Sequence, residues 1–170
     1  TIMVKTVAAV TLGCKVNQYD TEAMLEAFER HGYRIVPNGS PADVYLVNTC
    51  TVTGTGDKKS LQLIRRCRRR NPQADVVVTG CLAQRMGEQL RETGARLILG
   101  TQRRAEVVEL LEQAVREGKQ ICAVEALTQA PFESLTITEQ EEHTRAILKI
   151  QEGCNNHCTY CIIPSVRGPI

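Results

Sequence analysis

No apolar run in the sequence approaches the roughly 18 residues of a membrane-crossing helix, which excludes a helical membrane protein. The longer apolar core and small-residue cleavage site of a secretory signal are also missing. Thr1 to Val10 carries one lysine and then an apolar segment, and reads instead as a buried first strand. Nor is there an excess of one charge: 21 Lys and Arg stand against 19 Asp and Glu, for a net charge of +2. So balanced a total identifies no partner, and only the distribution of charge can do so. No repeat of fixed period is present, which argues against a solenoid. What remains is a soluble chain expected in the cytoplasm. Its 170 residues and 42% hydrophobic content suit one full domain and the start of another.

Against these absences stand eight cysteines. A disulfide framework fits them poorly, because no secretory signal is visible and a chain of this size needs no covalent staples. Their addresses in the fold are more informative. Lys5 to Leu12 is β-branched and apolar, as in a strand buried on both faces. A helix is expected over Asn17 to Arg30, with its charges suited to the helix dipole. A second strand, Asp43 to Val47, closes at Asn48-Thr49-Cys50, and a Gly/Thr-rich turn, Thr51 to Gly56, leads to a helix from Asp57 to Arg70. Asn71-Pro72 stops that helix. Strand Asp75 to Thr79, helix Leu82 to Glu92, strand Ala95 to Leu99 and helix Arg103 to Glu117 follow. Strands alternating with helices of ten or more residues predict an α/β fold with a parallel sheet, Rossmann-like or flavodoxin-like.

The apolar content drops from Glu125 to Thr144, where Pro131 and the acids Glu139, Glu141 and Glu142 appear, as in an interdomain linker. The expected division is a first domain over 1–126, a linker over 127–143 and the start of a second domain over 144–170. Arg145 to Gln151 is expected to be that domain's first strand, delivering the loop Gly153 to Cys161.

Cys154, Cys158 and Cys161 lie within eight residues, so one loop can bring three thiolates to one inorganic centre. Three ligands leave a tetrahedral zinc or a four-iron cubane one short. His157 is a poor fourth, being adjacent to Cys158. The Cys-x3-Cys-x2-Cys spacing fits a cubane whose fourth iron is open to a small molecule; a zinc knuckle and an electron-transfer cluster are the alternatives.

Cys14, Cys50 and Cys81 are distant in sequence but share one address, the first turn after a parallel strand. In a parallel sheet those turns line one edge, so the three thiols should converge there. Helix N-termini follow them, whose free N–H groups favour thiolates and anionic clusters. A second cubane with one open iron is the natural reading, and zinc with a bound water the lesser one. Cys67 and Cys122 lack comparable addresses and read as ordinary free thiols, and His31 and His143 as solvated or core residues. The run Arg65 to Arg70, interrupted only by Cys67, is either a dipole complement with a solvated face or a phosphate-binding patch for nucleic acid.

Thr11-Leu12-Gly13-Cys14-Lys15-Val16-Asn17-Gln18-Tyr19-Asp20-Thr21-Glu22, Asn48-Thr49-Cys50, Thr79-Gly80-Cys81 and Gly153 to Cys161, with Ile162-Ile163-Pro164 and Arg167-Gly168 behind, together resemble the radical S-adenosylmethionine methylthiotransferases. Within them, Cys14 to Asp20 is most similar to the MtaB-type branch, which acts on threonylcarbamoyladenosine in tRNA, rather than to the isopentenyladenosine or ribosomal-protein branches. The resemblance implies that Cys154, Cys158 and Cys161 hold a 4Fe-4S cluster whose open iron binds S-adenosyl-L-methionine, the source of a radical that takes hydrogen from C2 of the modified adenine. It implies that Cys14, Cys50 and Cys81 hold an auxiliary 4Fe-4S cluster carrying the sulfur to be methylated and transferred. Tyr160 would lie near the adenine of S-adenosyl-L-methionine, and Asn17 and Asn48 would support the auxiliary site. The implied partners are tRNA and an electron donor such as flavodoxin. The sequence departs from the family in stopping nine residues after Cys161, before the rest of the barrel and an RNA-binding domain, so no turnover is expected from this chain alone.

Overall fold

The computed structural model describes residues 3–127, 133, 135–138 and 146–170. Its centre is a six-stranded sheet in the order β2-β1-β3-β4-β5-β6, parallel throughout. The strands are β1 (Thr6–Thr11), β2 (Arg34–Ile35), β3 (Val44–Thr49), β4 (Asp75–Gly80), β5 (Leu97–Leu99) and β6 (Ile121–Ala123). The helices are α1 (Lys15–Arg30), α2 (Gly54–Arg70), α3 (Cys81–Met86), α4 (Val107–Arg116) and α5 (Ile163–Arg167), with 3-10 turns at Gly87–Thr93 and Arg104–Glu106.

All six residues of β3 are buried because β1 and β4 pair with it on either side. Successive side chains of a strand face opposite ways, and the core divides accordingly. Val7, Leu46, Val77, Leu97 and Leu99 meet Met24 and Phe28 of α1 and Val108 and Leu111 of α4 on one face. Ala8, Tyr45, Val47, Val76, Val78 and Ile98 meet Ile64 of α2, Ala83 of α3 and Leu90 on the other. Each fully buried aliphatic or phenyl side chain here contributes about 1.5–3 kcal/mol relative to exposure.

The α/β class and the expected strands β1, β3, β4 and β5 agree with the sequence reading, while the differences have local causes. β2 and β6, not anticipated, are two and three residues long and lie at the sheet edges, too short to carry a periodic signal. α2 begins at Gly54, ahead of the expected Asp57, because the Thr53 hydroxyl accepts from Gly56 N at 3.1 Å and caps it. The helix expected over Leu82 to Glu92 breaks at Gly87, whose φ of +51° ends α3, and continues as a 3-10 turn. The helix expected from Arg103 starts only at Val107, since Arg103 has a φ of +59°. Residues 146–151 form no strand, because a strand needs a hydrogen-bonded neighbour and none of the described ladders includes them. Most of the expected linker, with Pro131, Glu139, Glu141, Glu142 and His143, lies outside the described residues.

Gly80 closes β4 at a φ of +96°, and a Cβ there would strike Asn48 Oδ1 and the Thr49 backbone. Gly80→Ala should therefore destabilise the fold by about 3 kcal/mol. Thermal unfolding checks this, and an unchanged midpoint would mean that the β3–β4 edge is looser than described.

A candidate metal centre at the carboxyl edge of the sheet

In a parallel sheet every strand ends on the same edge. β1, β3 and β4 are neighbours, and Cys14, Cys50 and Cys81 follow their last residues closely. The chain runs outward from β1 to β2 on one side and from β3 to β6 on the other, so the crevice between β1 and β3 is the switch point where open α/β sheets bind ligands. Cys14 caps α1 with extended backbone, Cys81 is the first residue of α3, and Cys50 precedes the Thr53 cap of α2 by three positions. Helix N-termini thus stand next to the thiols.

The turn that carries Cys14 packs directly on Cys50. Gly13 has a φ of +102°, and a Cβ on it would lie 3.0 Å from both Cβ and Sγ of Cys50, so the turn carrying Cys14 packs against Cys50 with no room for a side chain. Burial pushes the Cys81 thiol up from its ordinary pKa and Arg167 pulls it back, with Cys50 and Cys14 adding smaller upward pushes. They are graded in depth: Cys81 is buried, Cys50 half-buried and Cys14 exposed. Among the described residues no three His, Cys, Asp or Glu side chains close on a single ion. A mononuclear zinc would need its sulfurs about 4 Å apart, whereas a cubane takes each thiolate on a separate iron. Three thiolates at three strand ends, one of them open to solvent, are of the chemistry that takes separate irons.

The edge is braced from below. Asn17, 1% exposed, donates from Nδ2 to Leu12 O at 2.7 Å and to Thr49 O at 3.0 Å, tying the ends of β1 and β3. Asn48 donates to Asn17 O at 2.9 Å and to Thr21 Oγ1 at 3.0 Å. Its buried Oδ1 has no hydrogen-bond partner among the described residues. The hydroxyls of Thr49 and Thr79 donate to Thr79 O at 2.5 Å and to Gly100 O at 3.0 Å, continuing the tie through β4 to the end of β5.

The second triplet sits on a loop pinned by the residues that follow it. Cys154 N donates to Gly168 O at 3.0 Å, Ile170 N donates to Asn155 Oδ1 at 2.9 Å, and Cys161 N donates to Cys158 O at 3.0 Å. Gly153 has a φ of +75°, and a Cβ on it would strike the carbonyls of Gly168 and Pro169. Cys158 is exposed, Cys154 and Cys161 are half-buried, and Tyr160 is 91% exposed. The loop therefore presents Cys158 and Tyr160 outward, with Cys154 and Cys161 partly covered.

Sequence reasoning missed a buried ionic cluster between the two triplets. Asp20, 1% exposed, receives Lys149 Nζ on Oδ1 at 2.8 Å and Arg167 Nη1 on Oδ2 at 3.0 Å, with Arg104 Nη1 also on Oδ2. Glu152 receives Arg104 Nη2 at 2.9 Å, Arg167 Nη1 at 2.6 Å and Lys149 Nζ, while Glu133 receives Arg104 Nε at 3.0 Å. Three carboxylates thus face three cations. Burial would raise the Glu152 pKa, but Arg104, Arg167 and Lys149 outweigh it and hold the carboxyl down at about 2. Burial likewise opposes the charge on Arg167, and Cys81, Glu152 and Asp20 outweigh it and raise its pKa. No spacing rule flags such residues, but Asp20, Glu152 and Arg167 each adjoin or fall within a cysteine motif, the one signal available. A cleft of about 770 Å³ borders the cluster, lined by Arg103, Arg104, Ile150, Glu152 and Arg167 among others and by none of the cysteines.

The arginine run lies elsewhere. Its residues begin eleven positions into α2, roughly 17 Å along the axis from the end nearest Cys50. Arg65, Arg66 and Arg69 are exposed, whereas Arg68 donates to Gly94 O at 3.0 Å. Cys67 is buried under α2 and Cys122 half-buried on β6, both pushed up in pKa chiefly by burial. His31 ends α1 with Nδ1 2.8 Å from Ala27 O.

Fold and site define a parallel α/β protein with three thiols at adjacent strand ends. Residues 6–100, more than half of the chain, match the model described as Uncharacterized protein family UPF0004, and the chain belongs to that family. It is 48% identical over 165 residues to "Threonylcarbamoyladenosine tRNA methylthiotransferase MtaB" of Bacillus subtilis, covering 96% of this chain and 37% of that protein. To the MtaB protein of Aquifex aeolicus it is 40% identical, covering 96% and 40%. To "Ribosomal protein uS12 methylthiotransferase RimO" of Desulfitobacterium hafniense it is 37% identical, covering 96% and 38%. The chain thus spans about two fifths of the length of these relatives. No helix among the described residues is long and apolar enough to cross a membrane.

The ionic cluster generates a test. Asp20→Ala leaves Arg104, Arg167 and Lys149 short of their shared partner and should cost about 3–5 kcal/mol. Denaturant unfolding reads the loss, and a cost under about 1 kcal/mol would show that water reaches the cluster.

Proposed function

We propose that this chain is the cluster-bearing part of a tRNA methylthiotransferase that places a methylthio group on C2 of N6-threonylcarbamoyladenosine next to the anticodon. The observation that carries this reading is the placement of Cys14, Cys50 and Cys81 just after three neighbouring strand ends at the switch point of the sheet, with the segment that follows a second thiol loop tied to the same edge through Val166 and Arg167. The 48% identity to a relative named for that activity supports the substrate.

In this reading residues 1–126 form the auxiliary domain, 127–143 a linker and 144–170 the start of a radical S-adenosylmethionine domain. Cys14, Cys50 and Cys81 hold one 4Fe-4S cluster, and Cys154, Cys158 and Cys161 hold another. When bound, the clusters and S-adenosyl-L-methionine supply the radical and the sulfur that this chemistry requires. The side chains of the chain bind and orient. Asn17 and Asn48 keep the ends of β1 and β3 in register beneath the first triplet. Gly13 and Gly153 allow the two thiol turns to approach their neighbours closely, and the exposed Tyr160 offers a ring to the adenine of S-adenosyl-L-methionine. Working in the cytoplasm, the protein would receive electrons from a donor such as flavodoxin.

Two experiments test the reading in a full-length enzyme carrying this chain. Such an enzyme should methylthiolate tRNA that carries the threonylcarbamoyl group and leave tRNA without it unmodified. Modification of ribosomal protein uS12 instead would favour the second reading, which the 37% identity to the RimO relative keeps open. Replacing Cys154, Cys158 and Cys161 with alanine should abolish reductive cleavage of S-adenosyl-L-methionine and retain about half of the iron. Replacing Cys14, Cys50 and Cys81 should retain that cleavage and stop methylthiolation; loss of cleavage in folded, iron-bearing protein would contradict the division of labour.

Arg65, Arg66 and Arg69 give α2 an exposed basic end away from the thiols, suited to the phosphates of a long RNA. Exchanging all three for glutamate should weaken tRNA binding at least tenfold at low salt and flatten its salt dependence. Unchanged binding would leave these arginines as a solvated face.

A further inference from the structure

Arg167 carries its guanidinium into the strand-end triplet. Its Nε–H donates to Cys81 Sγ at 3.3 Å, its Nη1 to Asp20 Oδ2 at 3.0 Å and Glu152 Oε1 at 2.6 Å, and its Nη2 to Asn17 Oδ1. The side chain is 5% exposed, so little water competes for these donors. A guanidinium is a planar fork, and with both terminal nitrogens engaged the Nε–H direction is set. The thiol it meets is the most buried of the three. Arg167 also stands six positions beyond Cys161, at the end of α5, so this side chain links the segment that follows the second thiol loop to Cys81.

We propose that Arg167 is a positioning and tuning residue for the strand-end centre: its Nε–H···Sγ bond to Cys81 raises the reduction potential of an iron-sulfur cluster held there by Cys14, Cys50 and Cys81. The inference rests on the cluster assignment proposed above. Reduction adds one electron, and hence one negative charge, to the cluster and its thiolates without breaking a bond at Cys81. A cationic N–H aimed at a ligating sulfur stabilises that added charge. Hydrogen bonds to sulfur and the charges around a cluster are among the determinants of its potential. Burial strengthens the effect by lowering the local dielectric. Cys81 therefore differs electronically from Cys14 and Cys50, and movement of α5 would be felt at the strand-end cluster.

The test is an anaerobic redox titration of the full chain, reconstituted with ferrous iron and sulfide, poised with dithionite and mediators, and read by the electron paramagnetic resonance of the reduced clusters. A background with Cys154, Cys158 and Cys161 changed to alanine assigns the strand-end signal. Arg167→Gln removes both charge and hydrogen bond. Arg167→Lys keeps the charge for Asp20 and Glu152 but loses the fork, and serves if the first variant does not fold. Both should make reduction of the strand-end cluster about tenfold less favourable, a shift of about 59 mV to more negative potential for one electron. Arg104→Lys disturbs the same ionic cluster without touching Cys81 and should leave the potential where it was. An unchanged potential in both Arg167 variants, or an equal shift in Arg104→Lys, overturns the inference. If the unsubstituted chain takes up no iron at Cys14, Cys50 and Cys81, the cluster assignment itself fails and the inference falls with it, a result distinguishable from iron bound at an unmoved potential.

Discussion

Parallel pairing of β1, β3 and β4 is the constraint on which the rest depends. It forces the chain to return to the same side of the sheet before every strand, and so delivers every strand end to one edge. Residues 36 and 67 positions apart from Cys14 become its neighbours for that reason alone. Burial of β3 on both faces makes the arrangement rigid, and the glycines at Gly13 and Gly80 let the turns close without a side chain in the way.

Rigidity at that edge comes from polar groups as well as packing. Asn17, Thr49 and Thr79 donate to backbone carbonyls at the ends of the strands, and Asn48 ties β3 to Asn17 O and Thr21 of α1. The buried ionic cluster completes the support by joining α1, through Asp20, to Lys149, Glu152 and Arg167 of the later segment. A cluster of this kind is costly to desolvate, and its contribution lies in holding one arrangement rather than in net stabilisation. Through it the thiol loop at 154–161 and the thiols of the sheet belong to one body. The large cleft beside it is lined by four of these groups, Arg104, Glu133, Glu152 and Arg167.

Much of this was legible from residues alone. Hydrophobic runs of strand length alternating with helical periods specify a parallel α/β sheet, because a doubly buried strand has no polar face and a covering helix must have one. Once the sheet is parallel, a cysteine directly after each of three strands predicts its own convergence, and the short spacing of Cys154, Cys158 and Cys161 needs no tertiary information at all. The edge strands β2 and β6 were not legible, being two and three residues long with no periodic signal of their own. Nor was the loss of helix at Gly87 and Arg103, where single backbone conformations override propensity. Of the strand expected over Arg145 to Gln151, the described residues 146–151 form none, because apolar content alone does not provide a pairing partner.

By itself, then, the sequence determined the fold class and the placing of Cys14, Cys50 and Cys81 along one edge of the sheet, since both follow from local pattern and from the single geometric rule of a parallel sheet. Only the tertiary structure decided what surrounds those thiols. That Arg167 lies against Cys81, that Asp20 gathers Arg104, Lys149 and Arg167, and that the arginine run of α2 points away from the site all depend on residues brought together from 84 to 147 positions apart, or on which end of a helix faces which edge. Isolated charges carry no period, so their partners become visible only when the packed chain has chosen one arrangement in which each buried charge is met.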